Sequence, residues 1–253
     1  MNKEQLTDAL LSKSFLETWE KMNRQTVTEL LGEEAGQMVG FDQRNPHHCY
    51  PLYEHCLHTV ENAKKIAERK DVQLDYKKML LTAALFHDIA KPIVCFEKNG
   101  RLVFYGHAIK SAEVAESILE GLGYQENELR EILFLIAHHD DFISFLMQEE
   151  YENLLRKGKK IYGTMISEDS IHRHVTKKFD KYDVPVGYPD WESWRNLIIL
   201  CQADAMSQAE ETFMNGNLVA TRAGKVAKIL EIENILKVIY ASPSDNVEEI
   251  GNV

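Results

Sequence analysis

A chain of 253 residues, of which 44% are hydrophobic and 27% charged, is long enough to bury a substantial core and is expected to form one domain with terminal additions. Its formal net charge of -11 argues against a protein that wraps long nucleic acid, because such binding needs clustered Lys and Arg; a small phosphorylated partner is compatible with it. No apolar run is long enough to cross a membrane, and four cysteines without CxxC spacing, in a chain whose N-terminus carries no signal peptide, predict reduced thiols in a cytoplasm.

Apolar residues at helical spacing predict a largely helical chain. The stretch 40–51 is rich in helix-breaking residues and is predicted to be a loop. Between 93 and 105, IVCF and RLVFY flank EKNG, and Asn99-Gly100 suits a tight turn, so a short β-hairpin is expected there. Helices are predicted at 4–20, 26–38, 52–70, 75–90, 107–121, 126–139, 142–157, 167–180, 190–215 and 221–240, and the tail beyond them is expected to fray. The fold class is therefore all-α with one inserted hairpin.

Ionisable residues occupy helix positions where core residues are expected. In DYKKMLLTAALFHDIAKP, His87 and Asp88 follow apolar residues one and two turns earlier, and Asp204 does the same in NLIILCQADAMSQ. A carboxylate buried there needs a protonation shift, a cationic partner or a metal ion. Two such carboxylates favour a metal, and imidazole nitrogens for a divalent ion are offered by His55, His87, His107, His138 and His139.

These residues lie in recognisable motifs: YEHCLHTV, AALFHDIAKP, YGHAIKSAE, LIAHHDD and CQADAM. Their order and spacing over about 150 residues resemble the HD superfamily of metal-dependent phosphohydrolases. A narrower similarity, in QRNPHHCYPLYEH, GHAIKSAE and IAHHDD, is to the HD region of CCA-adding tRNA nucleotidyltransferases. The residues before this region contain no Gly-Ser with a downstream Asp-x-Asp pair, so the nucleotidyltransferase head is expected to be absent and nucleotide addition is not expected.

The resemblance implies an HD-domain helical bundle: N-terminal helices over 1–50 packing on the core, a phosphohydrolase core over 51–215, and a C-terminal helix and tail over 216–253. It also implies one or two divalent ions (Mn, Fe, Co, Ni, Zn or Mg). One ion would be held by His55, His87, Asp88 and Asp204, with Asp88 bridging to a second ion at His107 and His138 or His139. The residues expected to act in catalysis are Asp88, Lys91, His107 and Lys110, the two lysines as phosphate contacts.

The implied activity is phosphomonoester or phosphodiester hydrolysis, by a metal-activated hydroxide, of a nucleotide or another small phosphorylated molecule. The alternatives are a non-catalytic HD module that senses a nucleotide or regulates a partner, and a nuclease acting on short RNA or DNA. From charge alone, Asp88 and Asp204 are expected to repel each other without metal, so metal-free Asp88→Ala should melt no lower than the metal-free wild type.

Several positions stay open at this level. His58 lies one turn from His55 on the same helix and competes for its role, although the Glu-His pattern favours His55. His138 and His139 differ by about 100° around a helix, so at most one is expected to face a given ion. Lys91 and Lys110 are equally compatible with surface lysines, His47 and His48 with loop packing, and Asp140 and Asp141 with a helix cap.

Overall fold

Helices dominate the computed structural model, which describes residues 1–176, 190–214 and 217–240. The helices are α1 (Lys3–Leu11), α2 (Phe15–Trp19), α3 (Arg24–Leu31), α4 (Glu33–Met38), α5 (Leu52–Arg69), α6 (Leu74–Phe86), α7 (Lys91–Val94), α8 (His107–Leu122), α9 (Glu126–His138), α10 (Gln148–Arg156), α11 (Glu168–Val175), α12 (Trp191–Met206) and α13 (Thr221–Tyr240). The strands are β1 (Phe96–Lys98), β2 (Arg101–Val103), β3 (Phe145–Leu146), β4 (Thr164–Met165), β5 (Thr212–Met214) and β6 (Asn217–Val219). The predicted all-α class is confirmed.

The core lies among α5, α6, α9 and α12, which pack against one another. Each brings a row of fully buried apolar side chains, such as Leu57 on α5 and Leu81 on α6. Phe134 of α9 meets Trp194 of α12 edge to face, with ring centroids 5.3 Å apart. Outside this bundle, α1 packs on α6, α8 on α9, and α13 on α12.

The predicted hairpin is present as β1 and β2. They pair antiparallel, with Phe96 opposite Val103 and Lys98 opposite Arg101. Asn99 and Gly100 form the turn with φ values of 53° and 76°, the left-handed region that a two-residue hairpin turn requires. The hairpin connects α7 to α8 and so stands beside the start of α8.

The N-terminal helices are shorter than predicted. Helix 4–20 is divided into α1 and α2 around Ser12, whose hydroxyl accepts a hydrogen bond from the Ser14 backbone N–H. Helix 26–38 is divided at Gly32, which has φ 99°. Serine hydroxyls and a glycine interrupt the helical backbone although the apolar spacing continues across them.

Three other predicted helices also end earlier or start later. In the region of the predicted helix 142–157, residues 141–144 form a 3-10 turn and β3 follows, so α10 begins only at Gln148. Strand β3 pairs in parallel with β4, which comes after α10. The predicted helix 190–215 ends at Met206, and β5 pairs antiparallel with β6. Helix 75–90 ends at Phe86, and Pro92 lies at the start of α7 instead of ending the helix before it. The end of the predicted helix 167–180 and the tail from 241 lie outside the described residues.

No helix in the described ranges is both long and apolar enough to cross a membrane. The division at residues 50 and 215 stays a prediction.

Candidate metal centre

Six of the predicted site residues converge where the ends of several helices meet. His55 comes from the first turns of α5, and Asp204 from the last turns of α12. His87 and Asp88 directly follow α6, His107 is the first residue of α8, and His139 directly follows α9. All of them are buried or nearly so, which puts an acidic and imidazole cluster inside an apolar bundle.

Asp88 stands between two pairs of histidines. One carboxylate oxygen, Oδ2, lies 3.5 Å from Nε2 of His55 and 3.3 Å from Nε2 of His87. The other oxygen, Oδ1, lies 3.1 Å from Nε2 of His107 and 3.6 Å from Nε2 of His139. A carboxylate in this position can offer one oxygen to each of two ions.

Each histidine pair has a further carboxylate. Asp204 Oδ1 lies 2.9 Å from Nε2 of His55, and 3.8 Å from Nε2 of His87. Asp140 Oδ2 lies 3.2 Å from Nε2 of His107, and Asp140 Oδ1 lies 3.8 Å from Nε2 of His139. The arrangement therefore has two similar halves, each with two imidazoles and one carboxylate, joined by Asp88.

All four imidazoles are held in the same tautomer. In each ring, Nδ1 lies near a backbone carbonyl. The distances are 3.3 Å for His55 to Ser207, 2.9 Å for His87 to Ala84, 2.9 Å for His107 to Phe104, and 2.7 Å for His139 to Ile136. A carbonyl oxygen only accepts, so each Nδ1 donates a proton, and each ring presents a lone pair on Nε2 once its second proton has left. Backbone acceptors of this kind commonly orient histidines that bind metals.

The four Nε2 atoms face one another or a carboxylate. Nε2 of His107 lies 3.2 Å from Nε2 of His139, and Nε2 of His55 and His87 face carboxylate oxygens. Over the described ranges, Nε2 of His55, Nε2 of His87 and Oδ1 of Asp88 are buried without an aligned hydrogen-bond donor or acceptor. Electron-rich atoms packed in this way are stabilised by a proton or a metal cation between them.

Two groups of ligand atoms are compact enough to surround one ion each. In the first, His55, His87 and Asp204, and in the second, Asp88, His107 and His139, the ligand atoms lie within 4.8 Å of one another. Nitrogen and carboxylate oxygen are suitable ligands for Mn, Fe, Co, Ni or Zn. A third compact group, Cys56 with His87 and Asp88, brings a thiol whose pKa is raised by burial, which makes it a poorer ligand.

The two central carboxylates are ionised at neutral pH. Burial alone would raise the pKa of Asp88, but the charges of Lys91 and His87 outweigh it and hold that pKa well below its usual range. Burial would also raise the pKa of Asp204, but His55 and His87 outweigh it and hold that pKa well below the usual range. Both carboxylates can thus accept an ion without first losing a proton.

Lys91 stabilises Asp88 directly. Its Nζ lies 2.6 Å from Asp88 Oδ2 and donates a hydrogen bond of 3.1 Å to Gln43 Oε1. Only 5% of Lys91 is exposed, so this ion pair is shielded from solvent. Lys91 is a positioning residue for Asp88 and also lines the cavity beside the cluster.

The structure separates the residues that the sequence left ambiguous. His139 faces Asp88, whereas Nδ1 of the neighbouring His138 lies 2.9 Å from Asp141 Oδ2. His58 lies 3.3 Å from Glu20 and stacks on Tyr50, away from the cluster that contains His55. These positions favour His139 and His55 over their neighbours as ligands.

Lys110 is placed outside the cluster. Its Nζ lies 3.0 Å from Glu113 Oε2, its side chain is 43% exposed, and it does not line the cavity. The predicted phosphate contact at this position has no support in the geometry, because the Lys110 ammonium pairs with Glu113 outside the cavity.

A cavity of about 440 Å³ opens beside the cluster, within the range of small-molecule sites. Besides the predicted Asp88, Lys91, His107, His139 and Asp204, its lining includes Asn45, His47, His48, Tyr105, Asp140, Ile143, Gln208 and Lys225.

Most of the additional cavity residues carried no clear signal in the sequence. The HHDD run pointed to Asp140, but only as a helix cap. His48 comes from the loop before α5, and its ring lies edge-on to His55 with centroids 5.0 Å apart. Burial, together with the charge of Lys91, lowers the pKa of His48 to about 2, so its ring is neutral. The Pro-His-His run was the available signal for His48, and nothing marked Gln208 or Lys225.

Comparison with known proteins agrees with this geometry. A family model described as "HD domain" matches residues 52–183, slightly more than half of the chain. A similar curated protein is the CC-adding tRNA nucleotidyltransferase of Thermus thermophilus, which is 29% identical over 141 residues. That alignment covers 55% of this chain but only 31% of the relative, so the chain spans about a third of the relative's length. The extent of the family match shows that the chain belongs to the HD-domain family, a superfamily of metal-dependent phosphohydrolases.

Proposed function

We propose that this protein is a metal-dependent phosphohydrolase acting on a nucleotide or another small phosphorylated molecule. The observation that carries the proposal is the convergence of four imidazole Nε2 atoms on the two oxygens of Asp88. His55, His87, Asp88 and Asp204 would hold one ion. The second would be held by Asp88 with His107, His139 and Asp140.

Divalent ions held in this way supply Lewis-acid polarisation of a phosphoryl group and activate water for attack on phosphorus. The chain's own residues organise that chemistry. The carbonyls of Ser207 and Phe104 fix the rings of His55 and His107, and Lys91 fixes the carboxylate of Asp88. The buried walls of the bundle limit the access of water, which strengthens the attraction between ions and phosphate.

The mouth of the cavity supports a substrate with an apolar or aromatic part. Tyr105 and Ile143 line the cavity but are 66% and 65% exposed, an unusual exposure for such side chains. A nucleobase that stacks on the Tyr105 ring would cover this surface. The name of the Thermus thermophilus relative also points to nucleotides. With a net charge of -11, we expect small substrates to be preferred over long nucleic acid, in the cytoplasm as predicted from the sequence.

The test is a substrate and metal screen. Purified protein is first analysed for bound metal, then stripped with a chelator and reloaded with Mn, Fe, Co, Ni, Zn or Mg. Phosphate release is measured with nucleoside mono- and diphosphates, dinucleotides, generic phosphate esters and a long RNA. We expect turnover of small substrates by at least one metal form and none by the chelated protein.

His55→Asn and His58→Asn form a matched pair for this test, because both residues lie on α5 but only His55 faces Asp88. We expect His55→Asn to lose activity and metal, and His58→Asn to keep both. Tight nucleotide binding without turnover in every metal form would replace the proposal with the sensor alternative. Faster cleavage of the long RNA than of small esters would replace it with the nuclease alternative.

A further inference from the structure

Helix α13 reaches the cavity from outside the segment that matches the HD family. The family match ends at residue 183, whereas α13 covers Thr221–Tyr240. Its Lys225 lines the same cavity as Asp88, His107 and Lys91. The C-terminal helix therefore contributes a cation to a site that the family segment does not complete by itself.

Gln208 connects Lys225 to the proposed first ion site. Lys225 Nζ donates a hydrogen bond to Gln208 Oε1. Gln208 Nε2 donates to both oxygens of Asp204, at 3.0 and 3.2 Å. An ammonium only donates and a carboxylate only accepts, so the amide between them has a single consistent orientation. The Gln208 amide and its two hydrogen-bonded contacts therefore separate Lys225 from Asp204, a proposed metal ligand.

Within the described residues, Lys225 differs from the other lysines near the site in having no carboxylate within ion-pair distance. Lys91 pairs with Asp88 at 2.6 Å, Lys110 pairs with Glu113 at 3.0 Å, and Lys228 lies 4.0 Å from Glu150. For Lys225, no carboxylate oxygen of the described chain lies within 4.0 Å of Nζ; its hydrogen bond goes to the neutral amide of Gln208. Burial lowers the pKa of Lys225, and the charges of Asp204 and Asp140, which favour the ammonium, do not offset it.

We propose that Lys225 binds a second phosphate group of the substrate, next to the phosphate that the ions hold, and that it selects for substrates with such a group. The inference rests on the proposed function. The amide of Gln208 places Nζ roughly 6–8 Å from the Asp204 carboxylate, given ordinary hydrogen-bond lengths. At that distance Lys225 lies beyond the shell of the first ion, where an anionic oxygen of an adjacent phosphate would supply the missing counter-ion.

The selection is measured with matched substrates. The ratio of kcat/KM for a nucleoside diphosphate to that for the corresponding monophosphate is determined for wild type, Lys225→Gln, Lys225→Arg and the control Lys110→Gln. We expect Lys225→Gln to lower the diphosphate value by about 10–100-fold, with little change for the monophosphate. Lys225→Arg should retain most of the preference, and Lys110→Gln should behave as wild type. An equal loss for both substrates would assign Lys225 to the scissile phosphate and overturn the inference, as would no loss for either.

A binding measurement separates this inference from the proposed function. Calorimetric titration with inorganic pyrophosphate and with orthophosphate uses the metal-loaded full chain and needs no turnover. We expect Lys225→Gln to weaken pyrophosphate binding about 10-fold or more and to leave orthophosphate binding nearly unchanged. If wild type turns over no substrate, the proposed function fails, and the pyrophosphate comparison still decides the role of Lys225. Equal pyrophosphate affinities for wild type and Lys225→Gln would overturn that role.

Discussion

The ion pair between Asp88 and Lys91 gives a prediction opposite to the one drawn from charge alone. With only Asp88 and Asp204 in view, removing Asp88 relieves repulsion and should not destabilise the metal-free protein. In the structure, however, Lys91 is almost fully buried and lies 2.6 Å from Asp88. Asp88→Ala therefore leaves a buried ammonium without its counter-ion, and we expect the metal-free variant to be less stable than metal-free wild type.

Removing one partner of a buried ion pair costs about 3–5 kcal/mol of folding stability, and we expect a loss of this size for metal-free Asp88→Ala. In the variant, Lys91 can limit this loss by releasing its proton. Each pH unit below the usual pKa of lysine adds ~1.4 kcal/mol to the cost of that release, which is therefore about 5 kcal/mol at pH 7 and about 2 kcal/mol at pH 9. In wild type, burial would lower the pKa of Lys91, but Asp88 raises it above its usual value. The wild-type pair is thus fully present from pH 7 to 9, whereas the variant recovers stability as the pH rises.

The assay is thermal and urea unfolding with chelator present, at pH 7 and at pH 9. For a chain of this size, we expect Asp88→Ala to melt roughly 6–20 °C below wild type at pH 7, and the gap to shrink at pH 9. The double variant Asp88→Ala/Lys91→Met removes both charges and should regain much of the loss. The reasoning is refuted if metal-free Asp88→Ala melts at or above wild type at pH 7, or if the gap is the same at both pH values.

Three further predictions concern single side chains. His139→Ala should weaken divalent metal binding at least 10-fold by calorimetry, whereas His138→Ala should bind metal as wild type does, and the reverse order would reassign the ligand. Tyr105→Ala should raise KM for nucleotides about 10-fold without changing kcat/KM for a small alkyl phosphate; an equal effect on both would exclude base stacking. His138 and His174 outweigh burial and lower the pKa of Asp141 to about 2, so its contribution of about 2 kcal/mol is present above pH 4 and lost as the pH falls towards 2. The difference in unfolding free energy between metal-free wild type and Asp141→Asn should therefore be largest above pH 4 and shrink as the pH falls towards 2; a difference at pH 2.5 as large as that at pH 5 would contradict this.

The features that depend most directly on helical periodicity were the most predictable from the sequence. Helices α5, α8, α9 and α13 lie within a few residues of their predicted limits, because long apolar stripes determine them. His87, Asp88 and Asp204 were visible for the same reason, since each interrupts such a stripe. The side of the helix on which His138 and His139 lie was not predictable, because it depends on the last residue of α9 and on the turn after it.

Residues from distant parts of the chain could not be placed in the site from sequence. Lys225 lies on a helix that reads as an ordinary packing helix, and its approach to Gln208 depends on how α13 packs on α12. The spacing of three residues makes a pairing of Lys91 with Asp88 possible, but the same spacing is equally compatible with a lysine that points to solvent. Short strands such as β3 and β5 were missed since two or three residues carry too little periodicity to be distinguished from a helix end.

The contact between His55 and the Ser207 carbonyl joins positions 152 residues apart in the chain. A nascent polypeptide that has left the ribosome only as far as α11 has His55 and His87 but neither the Asp204 carboxylate nor the carbonyl that orients the His55 ring. The proposed first ion site is therefore completed only after synthesis has passed α12, when most of the bundle has been made. A divalent ion at that site cannot guide the early steps of co-translational folding; it can only stabilise a nearly finished bundle.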